Sequence, residues 1–109
     1  MTELPLEAFI VADVHLLTTA EGGRRSGIAS GYRCTCFIGH IQDGKPTYND
    51  AAFYFSDQTI LHPGGTARAR VRPLIPDSWS HLAVGDRFEL SEGPRVIGRA
   101  VIVELFPAP

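Results

Sequence analysis

Lysine is nearly missing from this sequence: of ten basic residues only Lys45 is lysine, and the other nine are arginine. Cysteine is scarce too, with Cys34 and Cys36 alone in 109 residues. Neighbours that close cannot bridge without straining the disulfide geometry. No second Cys pair or HxxxH offers the remaining ligands of a metal site, so both thiols read as reduced core residues. Long apolar runs are also absent. None approaches the roughly 18 residues that a membrane-spanning helix requires, which argues against a membrane partner. The opening MTELPLEAFIVADV has two glutamates and no basic residue ahead of its apolar part. It lacks the positive region of a secretory leader, and cytoplasmic residence is expected. Neither a GxxxxGK[ST] loop, a GxGxxG turn nor a GxSxG elbow occurs, so no nucleotide and no cofactor is expected. His15, His40, His62 and His81 are scattered, and spacing singles out none as a base or ligand. An enzyme is the disfavoured reading.

What is present is ordinary in bulk. Apolar residues make up 44%, charged residues 20%, and the formal net charge is −2, so no positive field draws a polyanion from a distance. The length suits a single domain over 1–109, with a core from about 9 to 105 and short tails, Pro107-Ala-Pro109 fraying at the end. Two-residue alternation dominates and helical periodicity is hard to find. Ile10, Ala12, Val14 and Leu16 share one face of a strand, with Asp13 and His15 on the other. Further strands are expected over Tyr32–Ile38, Ala51–Phe55, Thr66–Arg72, Arg87–Leu90 and Val96–Leu105. Asp43-Gly44 marks a reversal and Glu92-Gly-Pro-Arg95 a turn. Pro73 and Pro76 close the fourth strand, and Ser78–Leu82 suits one helical turn. Six closely spaced strands with Gly and Pro between them point to an antiparallel sandwich or small barrel.

Two features suggest recognition. In Thr66–Arg72, alternation places Arg68, Arg70 and Arg72 about 7 Å apart on one face of a strand. In AEGGRRSGIASGYR, Arg24, Arg25 and Arg33 lie among four glycines with little that could pack in a core. The bland readings are positive-φ turns at Gly22-Gly23, surface ion pairs for Arg24 and Arg33, and a packing role for Tyr32 with its hydroxyl at a barrel end.

The order of motifs is more specific than any one of them. A strand leads to Glu21-Gly-Gly-Arg24, then Gly31-Tyr-Arg33, then Pro63-Gly64 and an alternating strand. After a proline-containing loop comes Arg87-Phe88-x-Leu-x-Glu92-Gly-Pro-Arg95-Val-Ile-Gly98-x-x-Val101. From about Phe9 to Leu105 the chain resembles the C-terminal (third) domain of bacterial elongation factor Tu. That resemblance implies an all-β fold, a closed six-stranded antiparallel β-barrel, and a binding rather than catalytic role. In that family the EGGR loop and the EG turn touch the backbone of the tRNA T stem, and other surfaces dock on protein partners. Arg24 then matches the RNA-contacting arginine, Arg25 replaces a neighbouring histidine, and Glu92-Gly93 match the turn. Pro94 stands in place of glycine, Cys34-Thr35 in place of Pro-Gln, and the Pro76–Arg87 segment is longer. The expected binding residues are Arg24, Arg25, Arg33, Arg68, Arg70, Arg72, Glu92 and Gly93. The expected role is a protein-interaction module with a translation-related partner, or a decoy or toxin-neutralising role. The alternative is binding to the backbone of tRNA or another structured RNA.

Overall fold

Alternation carries directly into three dimensions. The computed structural model of the chain describes residues 8–108; the expectations for the N-terminal segment 1–7 and for Pro109 lie outside the described residues. Ten strands and one 3₁₀ helix follow in order: β1 (Phe9–Leu16), β2 (Ile28–Ala29), β3 (Tyr32–Phe37), β4 (Ile41–Gln42), β5 (Lys45–Pro46), β6 (Asn49–Phe55), β7 (Ile60–Leu61), β8 (Thr66–Pro73), the helix Pro76–Trp79, β9 (Arg87–Glu92) and β10 (Arg95–Phe106). Six of them close into an antiparallel barrel in the order β1-β10-β9-β3-β6-β8. Closure pairs each of the six barrel strands on both sides, so the barrel itself has no open edge.

Strict alternation of buried residues is clearest on β1 and β8. On β1 these are Ile10, Ala12, Val14 and Leu16; on β8 they are Ala67, Ala69, Val71 and Pro73. Small residues on β1 and β8 let the wall approach the bulkier Phe53, Phe88 and Leu90 across the interior. Cys34 and Cys36 both face inward as free thiols. Contact with Cys34, together with burial, pushes the Cys36 thiol far up, which leaves it protonated and inert. Two bulges break the alternation on β10, where Val96 and Gly98 pair consecutive residues of β9 and where the pairing of β1 shifts at Val11/Ala12. The first puts Ile97 and Gly98 side by side in the interior. A Cβ on Gly98 would lie 2.8 Å from the His15 carbonyl oxygen, so only glycine lets β10 approach β1 there.

The strand expectations hold within one or two residues, and the closed barrel is the observed fold. The helical turn begins earlier than Ser78, because Pro76 supplies a preset φ at its first position. Two ribbons were not legible. β2 pairs with β7, and Ile28 with Leu61 plugs one end of the barrel, each 1% exposed. β4 pairs with β5 around Asp43 and Gly44, both at positive φ, as the Asp-Gly reversal required. Each ribbon strand has two residues, too few for a periodic signal.

Candidate binding surface

The Gly-Gly-Arg loop is built from the end of β1 outward. The Thr18 amide donates to Glu21 Oε1 at 2.9 Å, and the Glu21 amide donates to Thr18 Oγ1 at 3.1 Å. The Thr18 amide first, and then the Thr18 side chain, hold the Glu21 carboxyl below its ordinary range. Gly22 takes φ +93°, and the Gly23 amide donates to the Thr18 carbonyl at 2.9 Å. Only the first glycine is there for positive φ. The second is there for space, since a Cβ on Gly23 would sit 2.5 Å from the Leu17 carbonyl oxygen.

This turn delivers Arg24 to the far side of the barrel end. Its Nε donates to the Ser26 carbonyl at 3.2 Å, and its Cζ lies 5.4 Å from the centre of the Tyr32 ring. Its Nη1 is bonded to Glu92 Oε2, which also accepts the Tyr32 hydroxyl, while Arg95 Nη2 reaches Glu92 Oε1 at 3.2 Å. Burial alone would raise the Glu92 carboxyl. The hydrogen bonds from Tyr32 and Arg24 and the Arg24 charge outweigh it and hold the group below its usual range. The Tyr32 hydroxyl is pushed up to about 12, by burial first and then by its bond to the Glu92 carboxylate. Arg24, Glu92 and Tyr32, from three distant stretches of sequence, thus satisfy one another. Gly93, at φ +58°, makes the tight turn that sets Glu92 opposite Arg95.

The other expected residues lie apart from this cluster. Arg25 is exposed in the loop, and Arg33 is exposed on the outer face of β3. Across the sheet Arg33 pairs with Ala52, and Ala52 with Arg72, so two arginines flank one small outward residue. Among the described residues Arg25, Arg33 and Arg72 make no ion pair. Arg68 and Arg70 are engaged. Arg68 forks onto Asp13, Nε to Oδ1 at 2.9 Å and Nη2 to Oδ2 at 3.2 Å, and that bond lowers the Asp13 carboxyl. Arg70 Cζ lies 4.2 Å from the centre of the Phe9 ring, which stacks on Phe106 at 5.0 Å. The row expected on β8 therefore exists as a row, with one fork, one stacked cation and one unpaired cation. Thr35 turns its hydroxyl to the Ser91 carbonyl at 3.0 Å.

The opposite end of the barrel carries residues that the sequence reasoning missed. Nine large hydrophobic side chains are exposed among the described residues, and six of them (Ile41, Tyr48, Leu74, Ile75, Val84 and Phe106) belong to this end. They sit on the β4–β5 ribbon, at the entry to β6, after β8, before β9 and at the close of β10. Beside them opens an apolar cavity of about 250 Å³ with no charged side chain in its lining. Pro107 and Ala108 line it, so this part of the expected frayed tail is wall. The signal was available in Leu74-Ile75, an apolar pair set between Pro73 and Pro76 where no strand can bury it.

At the same end, His40 Nε2 bonds the Ser78 carbonyl at 2.7 Å and His81 Nε2 bonds the Ile38 carbonyl at 2.6 Å, with the rings 4.6 Å apart. Both histidines thereby pin the 3₁₀ helix and the turn after it to the end of β3. Among the described residues no three His, Cys, Asp or Glu side chains are grouped to hold a metal ion. No helix among them is long and apolar enough to cross a membrane. No protein-family model matches the sequence.

Proposed function

We propose that this domain is a non-catalytic interaction module that docks on a protein partner through the apolar end of its barrel. One observation carries the reading: six of the nine exposed large hydrophobics gather at one end. The other end is closed by the Ile28–Leu61 ribbon and the Arg24–Glu92–Tyr32 cluster. Water-exposed apolar surface concentrated in this way is the mark of a docking face. The resemblance to the third domain of elongation factor Tu supports the same reading, because that barrel docks on other protein domains. A partner from translation, or a decoy or toxin-neutralising role, fits it. Two free thiols and the scarcity of cysteine fit a cytoplasmic setting.

The test compares the native domain with a Leu74→Asp/Ile75→Asp variant by quantitative affinity capture from cells that express it. Expected is at least one protein retained by the native domain and lost from the variant at unchanged melting temperature. Equal recovery from both would sink the reading.

A second reading, contact with an RNA backbone, is favoured by one observation: the unpaired Arg33 and Arg72 flank Ala52. With Arg25 that gives about three phosphate contacts. On a structured RNA, log K should then fall with log salt at a slope of about −2 to −3. Arg33→Ala/Arg72→Ala should flatten that slope by about two contacts, and a slope the variant leaves unchanged removes the reading.

A further inference from the structure

The outer wall of β3, β6 and β8 carries two cations with no anion between them. Arg33, Ala52 and Arg72 stand in register on these three adjacent strands. At about 4.8 Å per strand, the Cα atoms of the two arginines are about 10 Å apart, and both side chains reach the space over Ala52. Ala51 and Phe53 belong to the core, so Ala52 faces outward, yet it is only 8% exposed. An outward alanine is hidden to that degree when the side chains around it lean over it. Its neighbours are Arg33 and Arg72 across the sheet and Asp50 and Tyr54 along β6. Both arginines are exposed, and among the described residues neither guanidinium makes an ion pair. Asp50, the one carboxylate among these neighbours, joins neither of them. Arg70, opposite Tyr54, is a third cation without an ion pair. Three arginines against one aspartate leave two positive charges uncompensated on this patch.

Two guanidinium forks over one point call for an anion with more oxygens and more charge than a carboxylate. A phosphate monoester supplies three acceptor oxygens and close to two negative charges at neutral pH. An RNA backbone instead spreads single charges along a chain, and the net charge of −2 gives no field to draw one. Beside the pair the surface turns apolar. The Leu74 amide donates to the Asp50 carbonyl at 2.9 Å, which continues the β6–β8 ladder past Pro73. Leu74 is therefore the next outward residue after Arg72, and it is 55% exposed, with Ile75 at 58% behind it. The arginine pair thus adjoins the apolar end of the barrel.

We propose that Arg33 and Arg72 hold a phosphoserine or phosphothreonine of the partner protein, with an apolar residue two positions away lying on Leu74. In an extended segment, residues two apart are about 7 Å from each other, the same spacing as Arg72 and Leu74 on β8. Arginine pairs that read a phosphorylated side chain in this way make docking conditional on the partner's modification. This proposal rests on the interaction-module reading and gives it a partner chemistry and a means of control.

The probe is acetyl-Ala-Leu-Ala-pSer-Ala-Leu-Ala-amide, symmetric about the phosphoserine so that either chain direction brings a leucine to Leu74. Titrated into the full chain and followed by calorimetry, it should bind about tenfold tighter than the same peptide with serine or glutamate at the centre. Arg33→Gln and Arg72→Gln, both at exposed positions, should each remove most of that preference at unchanged melting temperature. Asp50→Asn takes away the nearby negative charge and should tighten the phosphopeptide about two- to fivefold. Arg87→Gln, on β9, should change nothing. Equal binding of the three peptides, or a preference that survives both arginine substitutions, overturns the proposal. Inorganic phosphate competing mole for mole with the phosphopeptide overturns it too, since the site would then read an anion and no partner segment. A stem-loop RNA that displaces the phosphopeptide at a lower concentration than the peptide itself would return the arginines to the RNA reading. In affinity capture, a partner kept by Arg33→Gln/Arg72→Gln but lost by Leu74→Asp/Ile75→Asp defeats this site alone; equal recovery from all defeats the reading beneath it.

Discussion

Glu92 is the residue on which the Gly-Gly-Arg end of the barrel turns. It receives Arg24, Tyr32 and Arg95, and its carboxyl is held below its ordinary value of 4.5 by the first two bonds and the Arg24 charge, against its burial. A carboxylate with a depressed folded value contributes stability that is present above its unfolded value and lost as pH falls through the folded one. Glu92→Gln should therefore destabilise the domain by about 1–3 kcal/mol at neutral pH. It should also flatten the loss of stability below pH 4.5 in urea titrations. Tyr32 works at the alkaline side. Its folded value is raised from 10.0 to about 12, so its contribution is complete below pH 10 and disappears as pH rises toward 12. Tyr32→Phe should remove that alkaline decline, read by circular dichroism. Arg24 belongs to this local network, and Arg24→Ala should register in thermal stability.

Two glycines that look alike in the sequence serve different ends at the scale of the element. Gly22 adopts φ +93° with nothing near a substituted Cβ, whereas a Cβ on Gly23 would meet the Leu17 carbonyl oxygen at 2.5 Å. Gly22→Ala should cost about 1–2 kcal/mol from left-handed strain alone. Gly23→Ala should cost more, because backbone must move; the pair measured by thermal melts separates strain from crowding. Gly98→Ala belongs with the second kind, its Cβ lying 2.8 Å from the His15 carbonyl oxygen, and it should loosen the β10–β1 seam. Hydrogen exchange at the Leu17 amide, which donates to the Ile97 carbonyl at 2.9 Å, would register the opening. β8 shows the same divergence within one strand. Its three arginines share a face, yet Asp13 takes the first and Phe9 the second.

At the scale of the molecule, the barrel has one end that is finished and one that is not. Ile28 and Leu61 plug the first, and the Glu92 cluster latches the long loop across it. The second presents Ile41, Leu74, Ile75 and Phe106 to water beside the Trp79 cavity. Substituting Leu74 and Ile75 by aspartate should leave the fold intact, since neither is in the core. In light scattering across a concentration series, the native domain should show more self-association than that variant. Equal behaviour would mean the apolar end is no stickier than the rest of the surface.

Alternation alone determined the strands, their inward faces and the count of six, because a pleated chain assigns every second residue to the core whatever surrounds it. The Asp43-Gly44 reversal and the turn at Gly93 were legible for a similar reason: local backbone demands are met by local residue types. Tertiary structure decided which charges are spent. Arg24 and Glu92 stand 68 residues apart, and only closure of the barrel brings β9 beside β3 and sets them in contact. The same closure separated Arg68 and Arg70 from Arg72 by supplying partners from β1, and it gathered Leu74, Ile75, Val84 and Phe106 at one end. Sequence spacing carries a residue's face along its own strand. It carries nothing about the neighbour across the seam, and the docking surface proposed for this protein is made of such neighbours.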